Sequence, residues 1–445
     1  MSEFPPSWTE VELGDVIDYG KTSKAEPNEI PDDAWLLELE DIEKDTSKLL
    51  VRVTFGDRRS KSTKNRFSTG DVLYGKLRPY LNKVLRADRD GFCTTEIVPI
   101  KANAAVDGGY LFHWVRHPRF LDYVTNVSHG LNMPRLGTDA GRKAPFVLAP
   151  IEEQRRIATK LDGLRSKVDA CHERLDRVPQ ILKKFREAVL EAAVTGRLTE
   201  QWRVKHGAPA PEADVLLKDV WSDASYGSAA KSKGTGLIPV LRMGNIQCGV
   251  LDWHDLVYTS DEKEITKYSL QPGDVLFNRT NSPDLVGKSA VYHGERPAIY
   301  AGYLIRVRCG ARLHPDFLGY CLNSPAGRHY CWSVKTDGVS QSNINASKLG
   351  DFPFMLPSLL EQVEIVRRVA ELSSLSETFQ RRYQDAVARI ERLTPSILAK
   401  AFRGELVPQD PNDEPTGEML ERVRVVHDGE TVPIMKIRAA RSKGS

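Results

Sequence analysis

Basic and amide side chains are concentrated in one short stretch of this 445-residue chain, between residues 51 and 90. The stretch holds eleven Lys or Arg residues against four Asp residues, in a chain whose net charge is only +3. Tyr74, Tyr80, Asn65 and Asn82 lie among the basic residues. Such side chains contact phosphates and base edges in nucleic acids, although a run of charge is also typical of a solvated loop. Both interpretations stay open from this stretch alone.

Motifs for catalysis and for metal binding are incomplete. Gly70–Lys76 and Ser282–Ser289 imitate a phosphate-binding loop, but the first lacks the hydroxyl that holds magnesium and the second lacks the first glycine. His113 and His117 have the H-x-x-x-H spacing without the glutamate between them, which favours two histidines on a helix surface. The sequence also has no Asn/Asp-Pro-Pro-aromatic tetrapeptide to hold a flipped base. We therefore predict no catalytic residue and no metal ligand, and interpret the chain as a binding protein.

The composition is that of a chain with ordinary packed domains. Apolar residues make up 40% of it, and the length leaves room for two to four domains. We find no apolar N-terminal run and no stretch of about 18 apolar residues for a membrane span. Six scattered cysteines without a C-x-x-C pair are expected to be reduced thiols. These features predict a cytoplasmic protein without a membrane partner.

Two long helices are predicted by a heptad pattern that occurs twice in one register. The first seam includes Ile157, Leu161, Leu164, Val168, Leu175, Leu182 and Phe185. An offset of 208, which matches Cys171 with Phe379 and Val168 with Ser376, gives the second seam, which includes Ile365, Val369, Leu372, Phe379, Tyr383, Ile390 and Leu393. Two unrelated surface helices would not keep this offset, so we expect the helices to pack lengthwise on each other. Roughly 40 helical residues would span about 60 Å, so the pair would also act as a spacer, and Pro179 should kink or split the first helix.

A mixed α/β segment precedes each helical region, and the two segments resemble each other. Leu39–Ile42 matches Met243–Ile246 at an offset of 204, and Gly70–Tyr74 matches Gly273–Phe277 at 203. The predicted fold is α/β (α+β), with two similar domains joined by two long antiparallel coiled-coil helices in a pseudo-twofold internal repeat. The predicted segments are a first domain at 1–148, a helical spacer at 149–204, a second domain at 205–356, a second helical region at 357–408 and a flexible tail at 409–445.

With these motifs the chain resembles the specificity subunits of type I restriction-modification enzymes. The resemblance is carried by Trp8, by Leu148–Ile157 and its echo Leu356–Ile365, and by the helix ends Ala192–Trp202 and Ser396–Val407. The Gly-Asp-Val-Leu-Tyr/Phe motif of each domain adds to it, and the match extends to about residue 408. One departure is that the second domain has no Trp-containing opening like that of the first.

This resemblance implies two target-recognition domains, each binding one half of a bipartite site in double-stranded DNA. The helical regions would set the spacing and dock two modification subunits that carry S-adenosylmethionine and methylate adenine. Restriction subunits, with ATP and Mg, would join for cleavage, and this chain itself would hold no cofactor. The competing interpretation is a coiled-coil scaffold that binds only protein. Steep salt dependence of DNA binding would separate the two, and a self-sufficient enzyme is disfavoured by the missing motifs.

We predict DNA contacts from basic and amide residues beside the repeated strands and in the loops at Gly130 and Gly338. In the first domain they are Arg58, Arg59, Lys61, Lys64, Lys76, Arg78, Asn82, Lys83, Asn132 and Arg135. In the second domain they are Arg242, Asn278, Arg279, Asn281, Lys288, Gln341 and Asn343.

Overall fold

The computed structural model describes residues 4–130, 133–339 and 341–428. The chain divides into two compact units. Unit 1 runs up to Arg174 and resumes at Ala386, and unit 2 is Leu175–Asp385. Both units mix helices and strands, as the α/β (α+β) prediction requires.

The α/β domain of unit 1 leads into a long helix. Its strands are β1 (Thr9–Glu12), β2 (Ser23–Ala25), β3 (Leu36–Leu37), β4 (Lys64–Phe67), β5 (Val72–Gly75), β6 (Val84–Arg86), β7 (Gly91–Thr94), β8 (Ile97–Ile100) and β9 (Pro145–Leu148). Its helices are α1 (Phe55–Arg58), α2 (Gly108–Trp114), α3 (Pro118–Val127), α4 (Thr138–Arg142) and α5 (Ile151–Leu175). The strands form sheets of order β1-β9, β2-β4-β7-β3 and β6-β5-β8.

Unit 2 begins with two helices, followed by its own α/β domain. The first two helices are α6 (Val178–Val194) and α7 (Glu200–His206). The helices of the domain are α8 (Glu262–Tyr268), α9 (Pro315–Asn323), α10 (Pro325–Val334) and α11 (Ala346–Gly350). The strands are β10 (Glu212–Leu216), β11 (Trp221–Tyr226), β12 (Ile238–Leu241), β13 (Ile246–Gln247), β14 (Val250–Leu251), β15 (Val257–Thr259), β16 (Val275–Asn278), β17 (Thr280–Asn281), β18 (Ser289–Val291), β19 (Ile299–Tyr300), β20 (Leu304–Cys309), β21 (Thr336–Asp337), β22 (Ser342–Asn343) and β23 (Pro353–Leu356). Their sheets have the orders β10-β23, β11-β20-β16-β18, β15-β12-β19, β13-β14 and β17-β22-β21. The remaining helices of the described chain are α12 (Leu359–Ala401) and α13 (Thr416–Asp428).

Positions matched in the sequence take the same local structure in both units. The first and last strands of each domain pair antiparallel, with Thr9 opposite Leu148 and Glu212 opposite Leu356. In the turn at Leu39–Asp41, the Glu38 N–H donates to Asp41 Oδ2 at 2.8 Å. In the matching turn at Met243–Asn245, the Arg242 N–H donates to Asn245 Oδ1 at 2.9 Å. The sequence echo therefore reflects a repeated backbone device.

A buried glutamine fastens each domain to the helix that follows it. Gln154 Nε2 donates to the carbonyls of Ala105 and Ala149, and its Oε1 accepts the Asp107 N–H at 2.9 Å. Gln362 repeats this pattern, donating to the carbonyls of Arg312 and Pro357 and accepting the His314 N–H at 2.7 Å. Each buried amide thus satisfies three backbone groups, which ties the helix to the domain before it.

The heptad positions are buried mainly at the helix ends. In unit 1, Ile157 and Leu161 share a core with Leu398 and Ala401. In unit 2, Ile365 and Val369 share a core with Ala193 and Val194, and Leu182 is buried. The half-buried positions are Leu164, Val168, Leu175, Phe185, Leu372, Tyr383 and Ile390. Phe379 and Leu393 are 47% and 44% exposed, so they depart from the burial that seam positions predict.

The first helical region is divided at a proline. The first helical region is split as expected, because α5 ends at Leu175 and α6 begins at Val178, with Pro179 in its first turn.

The tail differs from its prediction for residues 409–422: α13 begins at Thr416, and Met419 is buried in the core of unit 1. Thr416 Oγ1 donates to the Ser7 carbonyl at 3.0 Å, which ties this segment to the first residues of unit 1.

Candidate nucleic-acid interface

A small β-ribbon in unit 2 brings predicted contact residues together. Thr280 and Asn281 of β17 pair with Asn343 and Ser342 of β22, which pairs in turn with β21. The Ile344 N–H donates to the Arg279 carbonyl at 2.9 Å. We call residues 279–281, 336–339 and 341–344 ribbon 2. The tight turn is closed by the Gly338 N–H, which donates to the Gln341 carbonyl at 2.8 Å.

Unit 1 contains the same arrangement in shorter form. Leu77 pairs with Arg135, and Arg135 pairs with His129. The Leu136 N–H donates to the Lys76 carbonyl at 3.0 Å, as Ile344 does to Arg279. We call residues 76–78, 129–130 and 133–136 ribbon 1. The loops at Gly130 and Gly338 thus lie beside the residues that follow the repeated strands β5 and β16.

The side chains of ribbon 2 form a connected network. The Arg279 guanidinium lies over the Tyr226 ring, 4.7 Å from its centroid. Its Nη2 donates to Asn343 Oδ1 at 3.3 Å, and Asn343 Nδ2 donates to Thr280 Oγ1 at 2.8 Å. Asn281 Oδ1 accepts the Ser282 N–H at 2.8 Å. Arg279, Asn281 and Asn343 are half-buried, whereas Gln341 is exposed.

Ribbon 1 is bordered by a strained turn. Arg78 and Asn82, on either side of Pro79–Leu81, have φ values of 50° and 48°, which non-glycine residues adopt rarely. Tyr80, inside the turn, is 47% exposed. On the ribbon, Arg135 Nε donates to Glu96 Oε2 at 3.0 Å. Lys76 and Arg78 are half-buried. Backbone strain of this kind clusters at active sites and ligand-binding sites.

Four residues predicted to contact DNA have side chains that lie mostly inside their domains. Lys64 is buried, its Nζ donates to Ser62 Oγ at 2.8 Å, and burial lowers its pKa. Arg58 pairs with the carboxylates of Glu38, Glu40 and Asp41. Asn82 and Asn278 are also buried. The fold turns these four side chains inward: Arg58, at the end of α1, faces carboxylates of its own domain, and Lys64, Asn82 and Asn278 are covered by the rest of their domains.

The other predicted residues are distributed over the surface. Arg59 and Lys61 are exposed in the loop between Arg58 and Lys64. Lys83 Nζ donates to the Leu39 carbonyl at 2.7 Å, and Lys288 Nζ to Gln247 Oε1 at 3.3 Å. Arg242 is held by Asp255. Asn132 lies outside the described residues.

The contact residues predicted from the sequence do not include three exposed aromatic residues of unit 2. Tyr226, Tyr303 and Trp332 are 42%, 51% and 54% exposed, and Lys335 Nζ lies 4.3 Å from the Trp332 ring centroid. Tyr226 contacts Arg279, which places it at ribbon 2. The available sequence signal for Tyr226 was an aromatic residue that directly follows the small and polar residues Ser222–Ser225.

His113 and His117, which have the spacing of metal ligands, contact different side chains. His113 is buried and its Nε2 lies 2.8 Å from Asp162 Oδ1, while His117 stacks on Trp114. Burial lowers the pKa of both, that of His117 to about 4. Within residues 4–130, 133–339 and 341–428, no group of three or more His, Cys, Asp or Glu residues could hold a metal ion. Within the described part of the chain, no helix combines the length and apolar character that a membrane crossing requires.

Several known proteins resemble this chain in sequence, although no family model matches it. The specificity subunit of the type I restriction enzyme EcoKI from Escherichia coli (strain K12) is 31% identical over 315 residues, which are 70% of this chain and 68% of that protein. The StySPI specificity subunit from Salmonella potsdam is 33% identical over 314 residues, 68% of this chain and 66% of that protein. The chain therefore matches about two thirds of the length of these relatives.

Solved structures share the fold. The HsdS subunit from Thermoanaerobacter tengcongensis superposes with a TM-score of 0.63 at 22% identity, covering 90% of this chain and 98% of that one. A chain from a type I restriction-modification system, solved in work on complex assembly and conformational transition, has the same TM-score of 0.63 at 21% identity. The sequence likeness to these relatives, with which the shared fold agrees, shows that this chain belongs to the family of type I restriction enzyme specificity subunits.

Proposed function

We propose that ribbon 1 and ribbon 2 each read one half of a split site in duplex DNA, as the recognition elements of a type I restriction-modification complex. The observation that carries this proposal is one backbone arrangement, present in both units, that presents different side chains. A repeated scaffold with different polar residues suits two readers of two different sequences. A β-ribbon is narrow enough to enter the major groove, where each base pair has a distinct pattern of donors and acceptors.

Phosphate contacts would come from the loop between Arg58 and Lys64. Arg59 and Lys61 are exposed there, and the two ends of the loop are fixed by the Arg58 carboxylate cluster and by buried Lys64. A basic loop with fixed ends can bind phosphates at little entropic cost. This assigns Arg58 and Lys64 a positioning role in place of direct contact.

The helices would set the spacing between the half-sites and dock two modification subunits. An antiparallel pairing is supported by the cores, because the start of α5 shares a core with the end of α12 and the end of α6 with its start. The modification subunits would supply S-adenosylmethionine for adenine methylation, and restriction subunits would supply ATP and Mg chemistry. This chain would contribute recognition and geometry, without catalysis or a cofactor of its own.

The test is a selection from random duplex DNA with this chain co-purified with its modification subunit. We expect two short defined halves with a fixed undefined gap. Deleting one heptad from each helical region, residues 168–174 and 384–390, should shorten the gap by about three base pairs, because seven helical residues span about 10 Å. A single contiguous motif, or a gap that ignores the deletion, would contradict the proposal. Absence of any enrichment would leave a protein-only scaffold.

A charge-removal series tests the phosphate loop separately. The Arg59→Ala/Lys61→Ala double variant should weaken binding to all sequences alike and reduce the slope of log affinity against log salt by roughly 2. Lys143→Ala, which removes an exposed charge elsewhere in the domain, is the matched control. A changed base preference in the double variant, with an unchanged salt slope, would remove this loop from the phosphate contacts.

A further inference from the structure

We propose that Arg135 and Asn343 are the base-reading residues of their ribbons, with Arg135 reading guanine in one half-site and Asn343 reading adenine in the other. This inference rests on the proposed function and adds the base that each ribbon selects at one position. The two residues differ by 208 in number, the offset of the helical repeat. They therefore occupy one position of the duplicated framework.

Both residues lie on the central strand of their ribbon. Arg135 pairs with Leu77 on one side and His129 on the other. Asn343 pairs with Thr280 on one side and Thr336 on the other. The backbone on each side fixes the position of the central residue more tightly than a loop tip would. A fixed residue loses little conformational entropy on binding, which is what base discrimination requires.

The amide of Asn343 is oriented by its neighbours. A guanidinium can only donate, so the atom that faces Arg279 Nη2 at 3.3 Å has to be Oδ1. Nδ2 then faces Thr280 Oγ1, to which it donates at 2.8 Å. One N–H and one lone pair of the amide remain for a ligand. Adenine offers the complementary pair in the major groove, an acceptor at N7 and a donor at N6.

Arg279 acts through Asn343 and is a positioning residue. Its guanidinium lies over Tyr226 and also donates to the Gly302 carbonyl at 3.4 Å. Tyr226 is fixed in turn, because its Oη accepts the Ala346 N–H at 3.0 Å. The Asn343 amide therefore cannot flip without breaking the Arg279 bond. This chain of contacts sets which end of the amide donates and which accepts.

Arg135 has the chemistry for a different base. Its Nε donates to Glu96 Oε2 at 3.0 Å, and its side chain is 53% exposed. Within the described residues, this is the bond that orients the guanidinium, and it leaves the terminal pair Nη1 and Nη2 for a ligand. Two parallel donors match the O6 and N7 acceptors of guanine. The carboxylate of Glu96 thus does for Arg135 what Arg279 does for Asn343.

The test uses the complex with the modification subunit and a duplex library with both half-sites randomised. Asn343→Ala should reduce adenine preference at one position of one half-site by roughly 5- to 150-fold, and Arg135→Ala should do the same for guanine in the other half. The exchange Asn343→Arg should shift the affected position from adenine towards guanine. A preference that survives the alanine variants, or that concerns another base, overturns the inference.

Three further variants separate positioning from phosphate contact. Arg279→Lys keeps the charge but loses the planar stack on Tyr226, so we expect adenine preference to fall while the salt dependence is unchanged. Tyr226→Phe keeps the stack under Arg279 and loses only the hydroxyl that accepts the Ala346 N–H, so we expect a much smaller fall in adenine preference than in Arg279→Lys. A uniform loss of affinity with a reduced salt slope in Arg279→Ala would make Arg279 a phosphate contact and contradict its positioning role.

The two proposals fail in different ways. If the complex that carries no substitution selects no split motif, the proposed function fails. If it selects a split motif whose base preferences are unchanged by Arg135→Ala and Asn343→Ala, the proposed function stands and this inference fails.

Discussion

Glu153 and Glu361 occupy one position in the two units, and each unit holds its carboxylate with different donors. Glu153 accepts from Trp8 Nε1 at 2.8 Å and from Gln409 Nε2, both neutral groups. Glu361 accepts from Thr199 Oγ1 at 2.6 Å and is paired with Arg203, whose Nη2 lies 2.7 Å from Oε1. The glutamine that follows each one, in contrast, makes the same three bonds in both units.

The difference shows which parts of a repeat are free to change. Gln154 and Gln362 bond to backbone groups, which the repeat preserves, whereas the two glutamates bond to side chains that differ between the units. Gly196 and Gly404, with φ of 69° and 75°, turn the chain shortly before Thr199 and Arg203 in one unit and before Gln409 in the other. In unit 2, Arg203 of α7 supplies a donor to the glutamate where Trp8 supplies one in unit 1.

The largest loss should follow removal of the shared glutamines. Gln154→Leu and Gln362→Leu would each remove three hydrogen bonds between a buried amide and backbone groups, so we expect about 3–5 kcal/mol less stability of the affected unit. Hydrogen exchange of the assembled complex, followed separately for peptides of the two units, measures this. Gln180→Leu on the exposed face of α6 is the control. Unequal losses in the two units would break the equivalence of the two glutamines.

A smaller and unequal effect should follow neutralisation of the glutamates. Glu361→Gln would leave the Arg203 guanidinium, which is 17% exposed, without its charge partner, at a cost of about 2–3 kcal/mol. Glu153→Gln keeps an acceptor for Trp8, and Gln409 can turn its amide, so we expect about 1 kcal/mol or less. Chemical unfolding monitored by exchange in each unit distinguishes them. Equal costs would mean that donor charge does not matter at this position.

The same contrast predicts a pH dependence in unit 1. Burial raises the pKa of Glu153 above its ordinary value of 4.5, against the hydrogen bonds from Trp8 and Gln409. The folded state then holds the proton more tightly than the unfolded state, so this contribution is complete below pH 4.5 and is lost as pH rises through the raised pKa. The stability difference between the native chain and Glu153→Gln should therefore decrease with rising pH. A difference that increases with pH would mean that the folded state lowers the pKa of Glu153 instead of raising it.

The sequence predicted backbone features better than side-chain exposure. The repeat, the split at Pro179 and the position of the Gly130 and Gly338 loops depend on spacing and on proline and glycine geometry, which are local. Whether Lys64 and Asn278 face solvent depends on which face of a strand the rest of the domain covers, and single residues do not record that. Phe379 and Leu393 show the same limit, because heptad spacing predicts a facing partner without fixing how far the contact extends.

The smallest effect concerns the strand before each ribbon, where Asn278 of β16 matches Gly75 of β5. Asn278 is fully buried, and among the described residues neither Oδ1 nor Nδ2 has a hydrogen-bond partner. Asn278→Val, slightly larger and well suited to a strand, should raise the free energy of unfolding of unit 2 by about 1 kcal/mol, because a buried unsatisfied amide is removed. Gly75→Ala is the counterpart in unit 1, where a Cβ would lie 2.8 Å from Leu39 Cδ2 and 3.0 Å from the Lys83 carbonyl, so this change should destabilise. A loss of stability in Asn278→Val would show that the amide is satisfied in solution, and base preference measured on the same variant would then tell whether ribbon 2 depends on it.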